Sequence, residues 1–440
     1  MYMKSIYRLS ALLSACLLVV TASVAQRRTL IDNDWEFARD GQPAVVVDLP
    51  HDWSIQGVPA ADEPAGNDGG YYPTGKGEYR KVLRLKTKAA DRCYALYFEG
   101  VYMNAEVIVN GVSTGVQHYG YSSFLRDVTE LLHEGDNEIL VKVDNSLQKN
   151  CRWYTGSGIY RHVWLVETAD VHFKHWGTFI TTPVVDAGGT SQVSVKTVIV
   201  NESDRERMVE VKVGLHDKVG DGAAIVPDAS RAVCLLPNEE QEVEFLIEVP
   251  DAYLWSPDTP HLYEAQLSIA EGKQPVDEVA ETFGIRSIAY NAEQGLLLNG
   301  QPIELNGGCL HHDNGILGAA AYDRAEERKA ELMKAAGFNA VRTSHNHPSE
   351  AFLAACDRIG LLVIDEAFDG WRSAKTPHDY STLIDKHWRD DLSALVLRDR
   401  NHPSIILWGV RINESQDDND FYIKTNAVAH ALDPSRATSG

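Results

Sequence analysis

Hydrophobic and polar positions divide the chain into three textures. From residue 27 to about 167, short runs of β-branched and aromatic residues alternate with Gly, Asn and Asp, without helical spacing. Val107-Ile108-Val109 runs into Asn110-Gly111, a pair that favours a two-residue hairpin turn. Tyr94 to Phe98 and Ile139 to Val143 read as further strands. Strands without helices predict a β-sandwich of the jelly-roll kind. Aromatic residues crowd its connections (Trp53, Tyr71, Tyr72, Tyr119, Tyr121, Trp153, Tyr154), where such rings either close the sandwich edges or stack on sugars.

From 168 to about 283 the alternation is strict. Val193, Val195 and Thr197 alternate with Ser194 and Lys196, and Val209, Val211 and Val213 with Glu210 and Lys212. Period two means sheets with one wet face, and the length suits an immunoglobulin-like sandwich that acts as a spacer.

Beyond Phe283, strand and helix patterns alternate. Pro302 to Gly308 reads as a strand. Asp323 and Glu326, at capping-box spacing, open a helix with Ala325, Leu332, Met333 and Ala336 on one face and Gly337 as its stop. Strands follow at Phe338–Thr343, Leu361–Ile364 and Ile405–Trp408, with helices over Ser349–Ile359, around Ile384–Val396 and over Asp420–Leu432. Successive βα units imply a parallel sheet, and 284–440 reads as the N-terminal half of a TIM barrel.

Composition narrows the partners. The formal net charge is −22 over 440 residues. That argues against nucleic acid or an anionic membrane and fits neutral small molecules. Residues 1–25 read as a signal peptide: Lys4 and Arg8 precede the apolar Leu12 to Val20, and Ser23-Val24-Ala25 offers a cleavage site before Gln26. No stretch reaches the 18 or so apolar residues of a membrane span. The expectation is a periplasmic or extracellular protein. Leu13-Ser14-Ala15-Cys16 resembles a lipoprotein box and offers a lesser, alternative route through Cys16. The five remaining cysteines show no CxxC pair, so neither a disulfide framework nor a zinc site is expected, and free thiols are favoured over a single bridge.

The chemistry gathers where the strands end. His311, His312 and Asp313 follow the first; Arg342, Ser344 and His345 the second; Asp365, Glu366 and then Trp371 the third; Asn413 and Glu414 the fourth. In a parallel sheet these ends converge on one pocket. No HExxH spacing orders a metal and no G-x-S-x-G elbow occurs. Carboxylates bond sugar hydroxyls, Trp371 offers a ring to stack on, and a glutamate at a buried strand's end suits protonation of a glycosidic oxygen.

These residues carry a resemblance. Gly156-Ser157-Gly158-Ile159-Tyr160-Arg161, Trp255-Ser256-Pro257 with Pro260, Leu262 and Tyr263, Leu298-Asn299-Gly300, Arg342-Thr343-Ser344-His345, Asp365-Glu366 and Asn401-His402-Pro403-Ser404 leading to Asn413-Glu414 resemble, in order and spacing, glycoside hydrolase family 2. The resemblance implies a retaining exo-β-glycosidase acting on oligosaccharides or glycosides, most plainly a β-galactosidase, without a cofactor. β-Glucuronidase, β-mannosidase and a non-catalytic carbohydrate-binding protein are the alternatives. Glu414 would be the catalytic acid and base, and Asn413, His311, His345, Arg342, Asp365 and Trp371 would bind substrate. The nucleophile, about 5–5.5 Å from the acid, would come from a later strand beyond Gly440. Oligomerisation is left open for the longer polypeptide this implies. One departure stands out: Asn413 and Glu414 lie five and six residues after Trp408, where the family has four and five. An extra residue inverts the facing beyond it unless a bulge absorbs it.

Overall fold

The computed structural model describes residues 27–439 apart from 40, 221 and 411–418. Asn413, Glu414, the leader and Cys16 therefore lie outside the described residues.

The first unit is a sandwich of a six-stranded and a four-stranded sheet. Inward positions of the facing strands, among them Trp35, Leu96, Val107, Ile139 and Val141, form its core. The Val107–Val109 run turns as its sequence predicts, with Asn110 and Gly111 both at positive φ (49° and 83°). The second unit pairs two four-stranded antiparallel sheets, and Arg207–Asp217 and Glu239–Pro250 alternate buried and exposed almost throughout.

The third unit is a five-stranded parallel sheet: β1 (Gly307–Leu310), β2 (Ala340–Thr343), β3 (Leu362–Glu366), β4 (Ile405–Gly409) and β5 (Ala437–Ser439), adjacent in that order. The helices α1 (Asp323–Ala335), α2 (Glu350–Ile359), α3 (Ile384–Asp399) and α4 (Asn419–Leu432) connect them. Ser349 caps α2 through its side chain, and Gly360 ends it at φ 72°.

Two sequence expectations need correction. Pro302 is not part of β1. Asn299-Gly300 turns the chain (φ 51° and 74°), and Gln301–Pro302 pairs back on Gly295–Leu298, so β1 starts five residues later. The capping box at α1 does not form. Asp323 Oδ1 meets His162 Nε2 at 3.0 Å, while Glu326 accepts from Asn314 (2.6 Å), Ser349 (2.7 Å) and Lys329 (2.9 Å). Tertiary partners outcompete the local motif, and α1 buries Glu326 and Ala330 while Leu332 stays exposed. The cysteines Cys93, Cys151, Cys234, Cys309 and Cys356 are all free thiols, as favoured.

The strand β4 carries a bulge: Val363 pairs with Ile405 but Ile364 with Leu407, leaving Ile406 over. This bulge precedes Trp408. Residues 411–418, where the extra residue before Asn413 would be absorbed, are outside the described residues.

The first sandwich docks across the strand ends. Tyr102, Tyr119, Tyr121 and Tyr160 belong to the same buried cluster as the sheet residues Val341, Val363 and Trp408. Arg161 donates to the His347 carbonyl (2.8 Å) and Tyr119 to the Ala367 carbonyl (2.9 Å). Asp391 of α3 accepts from Ser122 (2.8 Å), Gln117 (2.9 Å) and Tyr380. Burial outweighs those hydrogen bonds and raises its pKa from 3.8 to about 6. A carboxyl raised on folding stabilises fully below its unfolded pKa and loses that contribution as pH rises through the folded value. A rise of this size corresponds to about 3 kcal/mol. Asp391→Asn is therefore expected to flatten the fall in unfolding free energy between pH 4 and 7, measured by denaturant titration at each pH.

Candidate active site

Adjacent residues of a strand face opposite ways, and this divides Asp365 from Glu366 at the end of β3. Glu366 Oε1 accepts from Arg342 Nε (2.8 Å) and Nη2 (2.6 Å), and Oε2 lies 2.5 Å from His345 Nδ1. Its backbone N–H donates to Thr343 Oγ1 at 3.1 Å. The carboxylate is thus wholly engaged in orienting Arg342 and His345, both of which keep partial exposure. Opposition of one carboxylate to two donors fixes both rings and forks at the pocket rim. Gly409 of β4 sits directly against this group. A Cβ there would stand 2.5 Å from Glu366 Cγ, so the glycine lets the fourth strand pass close to the third.

His311 completes the rim. Its ring stacks on Trp153 (centroids 4.4 Å apart, planes at 22°) and lies edge-on to His345 at 6.4 Å. Burial, with the neighbouring His345, lowers its pKa despite a hydrogen bond to the Ser344 backbone, so it is a neutral imidazole.

Trp153 comes from the first sandwich, and sequence reasoning left it among seven connection aromatics without placing it. Its indole donates to Tyr121 (3.2 Å), and its neighbour Arg152 binds Asp369 just beyond β3 (2.5 and 3.2 Å). Lys375 shares that carboxylate at 2.9 Å. Burial alone would raise the Asp369 pKa, but its bonds to Arg152 and Lys375 hold it below the ordinary range. The only sequence signal for this contribution was the aromatic density of the 153–154 connection.

Two expected substrate contacts are placed elsewhere. Asp365 is fully buried, with Thr343 Oγ1 at 3.3 Å, against Asp399. Burial and the Asp399 charge push its pKa far up, so it keeps its proton at neutral pH. Trp371 is 1% exposed and packs on Phe421 at 4.5 Å, so it offers no face to a sugar ring. His312 is also inside, its Nε2 on the Thr155 carbonyl (3.0 Å) and its ring edge-on to Tyr121. Among the described residues no three His, Cys, Asp or Glu side chains converge as a metal set. His311, His345 and Arg342 do meet at the strand ends.

Known proteins share this layout. The sugar-binding domain model of glycosyl hydrolases family 2 matches residues 22–169, the family's second model 171–286, and its TIM barrel domain model 291–439. A β-galactosidase, BoGH2A of Bacteroides ovatus, is 41% identical over 86% of this chain and 43% of its own length. A putative β-glucuronidase of Formosa agariphila is 36% identical over 97% of this chain and 42% of its own. The chain thus spans less than half the length of these curated relatives. A crystal structure of a glycosyl hydrolase family 2 member from Bacteroides cellulosilyticus superposes with a TM-score of 0.89 at 41% identity, over 94% of this chain and 56% of that one. Three adjoining domain models, in family order and covering nearly the whole sequence, establish that the chain belongs to glycoside hydrolase family 2.

Proposed function

We propose that the polypeptide carrying this chain is a retaining exo-β-glycosidase that removes terminal β-linked sugars, with β-galactosides as its preferred substrates. The observation that carries this reading is the rim itself: a neutral His311 stacked on Trp153, beside an Arg342–Glu366–His345 cluster at the carboxyl ends of parallel strands. Donors, acceptors and an aromatic wall without a metal set suit a neutral polyhydroxyl substrate. Glu414, five residues beyond Gly409, is the proposed acid and base: it protonates the leaving oxygen and then deprotonates water. Asn413 is proposed to bond the 2-hydroxyl. A second carboxylate attacks the anomeric carbon.

The galactoside preference draws on BoGH2A, named a β-galactosidase. A second reading, β-glucuronidase, is favoured by the relative named a putative β-glucuronidase and by Arg152 and Lys375, two cations held beside the rim. A panel of nitrophenyl β-glycosides decides between them. Highest kcat/KM on the β-galactoside supports the first reading, and highest on the β-glucuronide supports the second. Sugar binding without turnover of any member would favour a non-catalytic carbohydrate-binding protein.

A further inference from the structure

On the flank of the sheet, away from the strand ends, the three units enclose a cavity of about 880 Å³. That lies within the range of about 300–1,000 Å³ typical of small-ligand sites. Helix α2 presents Ala351 and Ala354 to it, the strand Gln274–Phe283 presents Glu281, and the 174–178 segment and Arg28 contribute, among further charged residues such as Lys218, Glu327, Glu350 and Arg358.

Trp176 holds φ 54°, a left-handed conformation that a bulky aromatic residue rarely takes. Its carbonyl accepts from Arg400 (3.0 Å), and its ring meets His175 at 4.5 Å and the edge of Tyr97 at 5.9 Å. Strain of this kind concentrates at ligand clamps and switches. Beside it, His175 Nε2 is buried with no hydrogen-bond partner among the described residues. Burial lowers its pKa to about 3, so the ring is neutral. Glu281 accepts from Asn401 at 3.2 Å through one oxygen, while the other makes no hydrogen bond among the described residues. Arg28 lies over the Tyr97 ring at 5.4 Å, and its charge acts on Glu281 and Glu350 across the cavity.

Both signs of charge line the cavity in near balance, so no field selects an ion. Mutually balanced carboxylate and guanidinium groups, a neutral imidazole and an indole together match a neutral polyhydroxyl ligand. We propose that this cavity is a second carbohydrate site, which takes a short neutral oligosaccharide apart from the strand ends. Its ligand class rests on the carbohydrate reading above, but its residues are separate.

Titration calorimetry of the chain with a β-1,4-linked galacto-oligosaccharide tests it. Two binding events are expected. Ala354→Phe fills the cavity from an exposed helix position, and Trp176→Gly removes the ring where glycine accepts the backbone. Trp176→Gly is expected to weaken one event by about tenfold, the loss one aromatic contact carries, Ala354→Phe to weaken the same event by occupying its space, and both to leave the other intact. Trp153→Ala is expected to do the reverse. Unchanged unfolding midpoints show that the variants fold. A single event that Ala354→Phe and Trp176→Gly both leave unchanged overturns the second site without touching the first. A single event that only those two variants weaken supports the cavity and contradicts the strand-end reading.

Discussion

Glu414→Gln is expected to lower kcat on a nitrophenyl β-galactoside by about 10²- to 10⁴-fold, the contribution of a positioned general acid and base. The effect should shrink on a dinitrophenyl glycoside, whose leaving group departs without a proton. The described structure gives the reason for aiming at this residue. The strand β4 runs parallel to β3, with Gly409 paired to Glu366 and so close that a Cβ would collide with it. Gly409 lies against Glu366, and the first carboxylate after it in the sequence is Glu414. Glu366 cannot take the role, because Arg342 and His345 already occupy both of its oxygens. A loss below tenfold in both substrates would move the acid elsewhere.

Asp399→Ala is expected to destabilise the fold by about 3–5 kcal/mol, the cost of leaving one member of a buried ion pair alone. The Asp399 carboxylate accepts from Arg398 through two bonds of 2.6 Å, and the two side chains are 0% and 3% exposed. Arg398 reaches further, to Ser123 Oγ of the first sandwich (2.9 Å) and the Pro348 carbonyl (2.8 Å), so the pair also joins two units. With Asp399 gone, Arg398 would keep hydrogen bonds to neutral groups only, with the Glu350 charge nearby, in a dry site. Asp365 would lose the Asp399 charge that helps to raise its pKa and would ionise at lower pH. Urea denaturation of the variant against the parent measures the cost, and a difference below about 1 kcal/mol, a surface-pair value, would contradict it.

Where the periodicity was long, the sequence revealed the structure. Strict alternation through Val209–Val213 needed only the pleat, and α2 and α3 needed only a 3.6-residue stripe between recognisable stops. The convergence of polar residues on one end of the parallel sheet was legible for the same reason, since strand polarity follows from the βα order. What failed was decided by contacts far along the chain. Asp365 and Glu366 look alike in sequence, yet a one-residue step in a strand sends one to Asp399 and the other to Arg342. Trp371 carries no pattern telling a core ring from a stacking platform, and Phe421, fifty residues on, makes it core. Trp153 reaches His311 across about 160 residues, a distance no local period spans. Asp323 and Glu326 kept the spacing of a cap but found stronger partners in His162 and Ser349.

Azide rescue of Glu414→Gln, assayed on 2,4-dinitrophenyl β-galactoside, addresses the assignment most directly. With the acid and base removed, the good leaving group still departs and the glycosyl intermediate waits for water that nothing deprotonates. Azide needs no base, so the account predicts that added azide restores turnover and yields the β-galactosyl azide. An α-galactosyl azide would identify Glu414 as the nucleophile, and no rescue of Glu414→Gln alongside rescue of Glu366→Gln would place the acid on β3; either result would contradict the account.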